Sequence, residues 1–281
     1  MDKILLSSGC SYTDQNYMSM DHSIPDNERG GWAMWPELMA KELKLKSVNV
    51  GEKGRDNSYI LDSIIDGISA YGESIDTIAI LWSSADRMPF FDNSLIPLAE
   101  LHIMLMDYRT TSIDEWMKRF GLSDLSYTVM NNKNFNMNKM LQTWIQAPLK
   151  KLFTIIELCD KFGYKLVMGQ GAAYFQEKPI NDLVDEGYFN TKYKINTKDK
   201  ISYFMSSPQF NLLEQSRSKI VGWPFMPEIG GWDFDIIRAQ QHNSDNILTV
   251  SNLDFHPNAK GQELFAKIFI DRWNKLHRNT K

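Results

Sequence analysis

Apolar residues along the chain fall alternately into short continuous runs and stripes of helical period. Residues 3–7 (KILLS) form a short apolar run that ends at the small-residue turn Ser8-Gly9, which predicts a buried strand. After a polar loop rich in Asp, Asn and Gly, Leu38, Met39 and Leu43 recur at helical spacing within residues 35–45. Val48 and Val50 bracket Asn49 as a second short strand closed by Gly51. Ile60, Leu61, Ile64, Ile65 and Ile68 share one face only in a helix. Residues 75–82 (IDTIAILW) have the unbroken apolar character of a parallel strand covered on both sides. Strand, helix, strand, helix, strand predicts a doubly wound α/β layer.

The middle of the chain reads differently. Residues 95–162 show no strand pattern, and Leu141, Trp144, Ile145, Leu149, Leu152, Phe153 and Ile156 continue a helical stripe. Pro148 interrupts it, predicting a kink or two helices. Residues 165–168 (KLVM) predict a fourth strand, stopped by Gly169 and Gly171. Residues 172–245 are irregular and aromatic-rich, with weak helix patterns near 209–219 and 233–241. Residues 246–250 predict a last strand, and Leu264, Phe265, Ile268, Phe269, Trp273 and Leu276 define a final helix over 259–276.

Composition narrows the function classes. The 281 residues are 43% hydrophobic and 23% charged, which fits a globular chain and no disordered one. A chain of this size buries about three-quarters of its extended surface, so it needs no disulfide or metal to fold. A net charge of −4 argues against a duplex-binding module, and the basic residues Lys267, Arg272, Lys275, Arg278 and Lys281 suit the end of a helix. Cys10 and Cys159 make no disulfide framework. No apolar run approaches the ~20 residues of a membrane span, and the short run before Cys10 is no signal sequence. A cytoplasmic location is expected, with a place in a phage particle left open. His22, His102, His242 and His277 show no metal-ligand spacing, so neither metal nor cofactor is expected.

Three loops carry the candidate chemistry, each after the C-terminal end of a predicted strand or opening the last helix. Gly9-Cys10-Ser11-Tyr12-Thr13 follows strand one and offers a hydroxyl; a plain helix cap at Ser11 or Thr13 is the simpler alternative. Residues 49–58 (NVGEKGRDNS) place two glycines three apart, which frees backbone N–H groups for an anion or oxyanion. No GK[ST] or GxGxxG phosphate signature is present. Asp254-Phe255-His256-Pro257 opens the final helix, and a histidine with an aspartate beside it supplies the base and the carboxylate that a nucleophilic serine needs. Cys10 is a second candidate nucleophile, although strand alternation turns it away from Ser11.

Taken together, these residues resemble the SGNH (GDSL-like) hydrolase superfamily along nearly the whole chain. LLSSGCSYT resembles the family's first block, with Gly9 and Ser11 matching and Cys10 in place of aspartate. Residues 35–43 (WPELMAKEL) resemble the helix that commonly follows, residues 49–54 the second block, and residues 254–261 the fifth. The resemblance implies a three-layer α/β/α, flavodoxin-like fold with a parallel sheet. It also implies one domain over 1–281 with helical insertions at about 95–160 and 172–245. It implies a serine esterase in which Ser11 attacks, His256 moves the proton and Asp254 orients His256. The oxyanion would be held by Gly54, with Ser84 or Asn57 standing in for a block-three asparagine that this chain lacks. Trp82, Trp232 and Tyr12 are the candidate substrate-binding residues, and Trp32, Trp223 and Phe225 are read as core or cleft aromatics. Asp254 and His256 stand one residue closer than the usual Asp-x-x-His, with Leu253 at the usual acid position. Either Asp254 reaches the ring, or the ring leans on a backbone carbonyl. The expected partner is a small-molecule or carbohydrate ester, acetyl by first choice, with no nucleic acid and no membrane. A non-catalytic glycan- or protein-binding module and an O-acyltransferase are the alternatives.

Overall fold

The computed structural model describes residues 3–85, 87–91, 97–102, 137–174, 197–241 and 247–278. In chain order the elements are β1 (Ile4–Gly9), α1 (Trp35–Leu43), β2 (Lys46–Asn49), α2 (Asn57–Tyr71) and β3 (Ile75–Trp82). The ribbon β4 (Arg87–Phe91) and β5 (Pro97–His102) comes next, then α3 (Met137–Phe162), β6 (Lys165–Gln170), α4 (Thr197–Met205) and α5 (Phe210–Gln215). β7 (Ile220–Val221), α6 (Phe234–Gln241) and α7 (Ala259–His277) follow.

Five strands make one parallel sheet in the order β2-β1-β3-β6-β7. Alternation along each strand divides the core in two. Leu5, Ala79, Leu81 and Val167 meet Trp35, Met39, Phe234, Phe265 and Phe269 from α1, α6 and α7 on one face. Ile4, Leu6, Ile78, Ile80, Trp82 and Met168 meet Ile60, Ile64, Leu149, Leu152 and Ile156 from α2 and α3 on the other. Helices on both faces of a parallel sheet make a three-layer α/β/α fold, and the strand order is flavodoxin-like. Trp35 stacks on Phe269 at 4.5 Å, tying α1 to α7 and so the early chain to the late chain. No helix among the described residues is long and apolar enough to cross a membrane.

The structure departs from the pattern reading in four places. A β4–β5 antiparallel ribbon lies where no strand was expected, apart from the main sheet. Helix α3 runs through Pro148 as one element of 26 residues; the Tyr174 hydroxyl donates to the Ile145 carbonyl at 2.6 Å, just before the proline. Packing of Leu149 and Leu152 outweighs the lost backbone bond. The fifth strand of the sheet is β7, two residues long and too short to show a period. Of the strand expected over 246–250, Thr249 makes only an isolated bridge to Pro257, and residue 246 lies outside the described residues. The expected insertions fall partly outside them as well, at 103–136 and 175–196.

The start of α7 is where the fold fixes the last loop. Asn258 caps it by accepting from the Gly261 N–H at 3.1 Å, and its amide donates to the Ile247 and Thr249 carbonyls at 3.0 and 2.9 Å. Gly261 has no room for a side chain, because a Cβ would stand 2.5 Å from the Leu248 carbonyl oxygen. Alanine would gain about 1 kcal/mol of helix propensity, but overpacking against a fixed backbone carbonyl costs about 1–3 kcal/mol. Gly261→Ala is therefore expected to lower the denaturant midpoint, and a midpoint raised by the substitution would contradict this packing.

Candidate active site

The sheet order puts the C-terminal ends of β2, β1 and β3 side by side, and the loops that leave them converge. Beyond β1 the chain turns tightly, with the Thr13 and Asp14 N–H groups on the Cys10 carbonyl at 2.8 and 3.2 Å. Cys10 turns into the core beneath α1 and α7 and is 1% exposed, whereas Ser11 is carried toward the last loop. Ser11 Oγ lies 2.8 Å from His256 Nε2, and His256 Nδ1 lies 2.6 Å from Asp254 Oδ1. Serine, histidine and aspartate thus form a continuous chain of hydrogen bonds between residues 11 and 256.

Asp254 reaches the ring despite the short spacing because the loop turns on the carboxylate itself. Asp254 Oδ1 accepts from the His256 backbone N–H at 3.0 Å as well as facing the ring, an Asx turn that brings the ring back over its own cap. Ser251 Oγ accepts from the Leu253 and Asp254 N–H groups at 3.1 and 3.0 Å and donates to Asp21 at 2.5 Å. Leu253, the other position expected for the acid, is 80% exposed. The second carboxylate oxygen, Oδ2, accepts from the Tyr17 hydroxyl at 2.5 Å and from the Ser19 hydroxyl. Burial alone would push the Asp254 carboxyl upward, but the hydrogen bonds from His256, Ser19 and Tyr17 outweigh it and hold the group well below the usual carboxylate range. An ionised carboxylate only accepts, so Nδ1 carries the proton and Nε2 is left to accept from Ser11.

The backbone N–H groups of Ser11 and Gly54 meet no acceptor among the described residues, and Gly54 takes the left-handed conformation (φ 77°) that turns the loop after β2. That loop is held from the first one: Asp14 accepts from the Lys53 N–H at 3.0 Å, and Glu52 N–H donates to the Gly9 carbonyl at 3.1 Å. Asn49 donates to the Thr13 carbonyl at 2.7 Å and accepts from Gly51 N–H at 3.0 Å.

Other expected site residues sit elsewhere or act differently. Asn57 is no oxyanion donor: its amide donates to the Ser83 and Ser84 carbonyls at 2.9 and 3.2 Å and accepts from Ser83 N–H at 2.8 Å. It moulds the loop after β3 instead, where Ser84 is fully buried and the Ser83 hydroxyl has no partner among the described residues. Trp82 lines no cleft. Strand alternation turns it into the core beneath α2 and α3, 0% exposed, with its indole N–H on Met168 Sδ at 3.3 Å. Trp232 packs half-buried, edge-on to Phe234 at 5.8 Å. Tyr12 does border the site, its ring edge-on to His256 at 5.3 Å, but its hydroxyl is held by Asp235 at 2.9 Å, which also pairs with Arg238 at 2.8 Å.

The sequence reading missed Asp14, Tyr17 and Ser19. A signal was present: in residues 17–20 (YMSM) polar and apolar positions alternate, as in an extended segment. The polar side chains turn inward, Tyr17 at 7% and Ser19 at 0% exposure, while Met18 and Met20 face outward.

No protein-family model and no curated protein sequence matches the chain. Solved structures do align with it over nearly its whole length, at low identity. One is a member of the lipolytic protein G-D-S-L family from Veillonella parvula, 14% identical over 96% of this chain and 97% of that one, with a TM-score of 0.38. Another is a catalytic mutant of an acetylxylan esterase from Geobacillus stearothermophilus, 12% identical over 96% and 94%, with a TM-score of 0.43. A third is a psychrotrophic esterase from Pseudoalteromonas sp. inhibited by monoethylphosphonate, 13% identical over 99% and 100%, with a TM-score of 0.43.

Proposed function

We propose that the chain is a serine esterase of the SGNH type that cleaves carboxylic esters through an acyl-serine. One observation carries this reading: Ser11 Oγ stands 2.8 Å from His256 Nε2 while Asp254 holds Nδ1 at 2.6 Å. His256 takes the Ser11 proton as Oγ attacks the acyl carbon, and Asp254 keeps the ring in the required tautomer and stabilises the imidazolium. The oxyanion is received by the Ser11 and Gly54 N–H groups. His256 returns the proton to the leaving alcohol, then activates a water that releases the acid and frees Ser11. A nucleophile only 7% exposed suits a small acyl group, acetyl by first choice, and a carbohydrate or polyol is the proposed alcohol.

Hydrolysis of 4-nitrophenyl acetate tests the reading. Ser11→Ala is expected to lose about 10³-fold or more in kcat, Cys10→Ala to stay near wild type, and a fluorophosphonate to label Ser11 alone. Equal rates for wild type and Ser11→Ala would leave a binding module on this fold. Acyl transfer to an added polyol in preference to water would make the enzyme a transferase.

The acid of the triad also carries a stability signature. Its folded pKa is depressed below the unfolded value of about 3.9, so the ionised carboxylate's contribution is complete above that value and is lost as the pH falls through the folded one. Asp254→Asn is expected to have a lower denaturant midpoint than wild type at about pH 7, with the difference narrowing by about pH 3. A difference independent of pH would contradict an ionised Asp254.

A further inference from the structure

His256 is held from more sides than a triad requires. The Tyr17 ring lies against it at 4.4 Å between centroids and 29° between planes, stacked face to face. The hydroxyl of the same tyrosine donates to Asp254 Oδ2 at 2.5 Å, the oxygen that does not face the imidazole. One side chain therefore touches both the base and its acid, from a segment that belongs to neither their loop nor the nucleophile's turn. Tyr17 is 7% exposed, and burial together with Asp254 pushes its hydroxyl upward, so it stays protonated and donates.

We propose that Tyr17 is a positioning residue of the triad: its ring sets the plane of the His256 imidazole and shares the imidazolium charge, and its hydroxyl anchors the Asp254 carboxylate that orients the ring. The assignment rests on the esterase reading for its catalytic meaning, and on the geometry alone for the contact. The two parts of the side chain act in opposite directions on the imidazolium. A π face over a cation stabilises it. A hydroxyl that donates to Asp254 withdraws part of the negative charge that the imidazolium would otherwise feel. The other groups facing the ring are Asp254 on its own loop, Tyr12 and Ser11 from the turn after β1, and Asp235 on α6, itself paired with Arg238. Of these, Asp254 is the one that hydrogen-bonds Tyr17, so a change at position 17 acts on the ring through Asp254 and through the stacked face.

The test separates hydroxyl from ring. Tyr17→Phe keeps the stack and removes the donor, and Tyr17→Leu removes both. The midpoint of the His256 ring resonances in an NMR pH titration is read for each variant, alongside kcat and KM across pH. Tyr17→Phe is expected to move the midpoint, and the acid limb of kcat/KM with it, to higher pH. Tyr17→Leu is expected to lie about 0.5 pH unit below Tyr17→Phe, the size of an ordinary cation–π contact. Both variants are expected to lose about tenfold in kcat with KM little changed, a fraction of the ~10²-fold that a 1 Å misplacement costs. Wild-type midpoints and kcat in both variants would overturn the proposal. If Tyr17→Leu fails to fold, Tyr17→Phe alone decides it, since an unmoved midpoint with wild-type kcat removes the role of the hydroxyl. The titration needs no turnover, so shifted midpoints in a protein without Ser11-dependent hydrolysis would sink the esterase reading and leave the contact standing.

Discussion

The Asp254 carboxylate is the constraint around which the site is assembled. A carboxylate kept ionised while partly withdrawn from water is costly unless its lone pairs are filled. Here they are filled by the His256 backbone N–H and ring on one oxygen and by the Tyr17 and Ser19 hydroxyls on the other. Two of those donors come from its own loop and two from the segment after β1, more than two hundred residues earlier in the chain. Satisfying one anion therefore joins the two ends of the chain and brings His256 onto Ser11.

The sheet makes that meeting possible. The connection leaving β1 runs to β2 and the one leaving β3 runs to β6 on the opposite side, which opens a crevice between the C-terminal ends of β1 and β3. The loops around the crevice are fastened to one another by side chains that use both donor and acceptor on a neighbour's backbone. Asn57 does so for the loop after β3 and Asn49 for the turns after β1 and β2. Gln262 does the same from α7, accepting from Trp35 N–H at 2.9 Å and donating to the Tyr12 carbonyl at 3.2 Å. A site built this way is held by rigid elements at each loop's root.

Legibility differed by the range over which each signal acts. β3 could be read end to end, because eight residues covered on both faces leave an unbroken apolar run. α7 could be read from its apolar stripe and α2 from Ile60 and Ile64. β7 could not, since two residues carry no period, and of the two outcomes read at Pro148 the division into two helices fails because the tertiary contacts of α3 outweigh its local preference. Within the site, Ser11 and His256 were legible by residue type and position. Asn57 was misread because an amide near a crevice has the same sequence signature whether it faces a substrate or moulds a loop. Trp82 was misread for the reason that governs any strand end: one residue of register decides between crevice and core.

The sequence by itself determined the alternation of strands and helices, the turn after β1 that carries Ser11 and the Asp-His pair before α7, because each depends on neighbours within a few residues. Only the tertiary structure decided that Asp254 serves the ring at the shorter spacing, that Tyr17 and Ser19 complete its coordination, and that Asn57 and Trp82 belong to the scaffold. Those outcomes depend on contacts between segments far apart in the chain, where the hydrogen-bond needs of a buried group are met by whatever the fold places beside it.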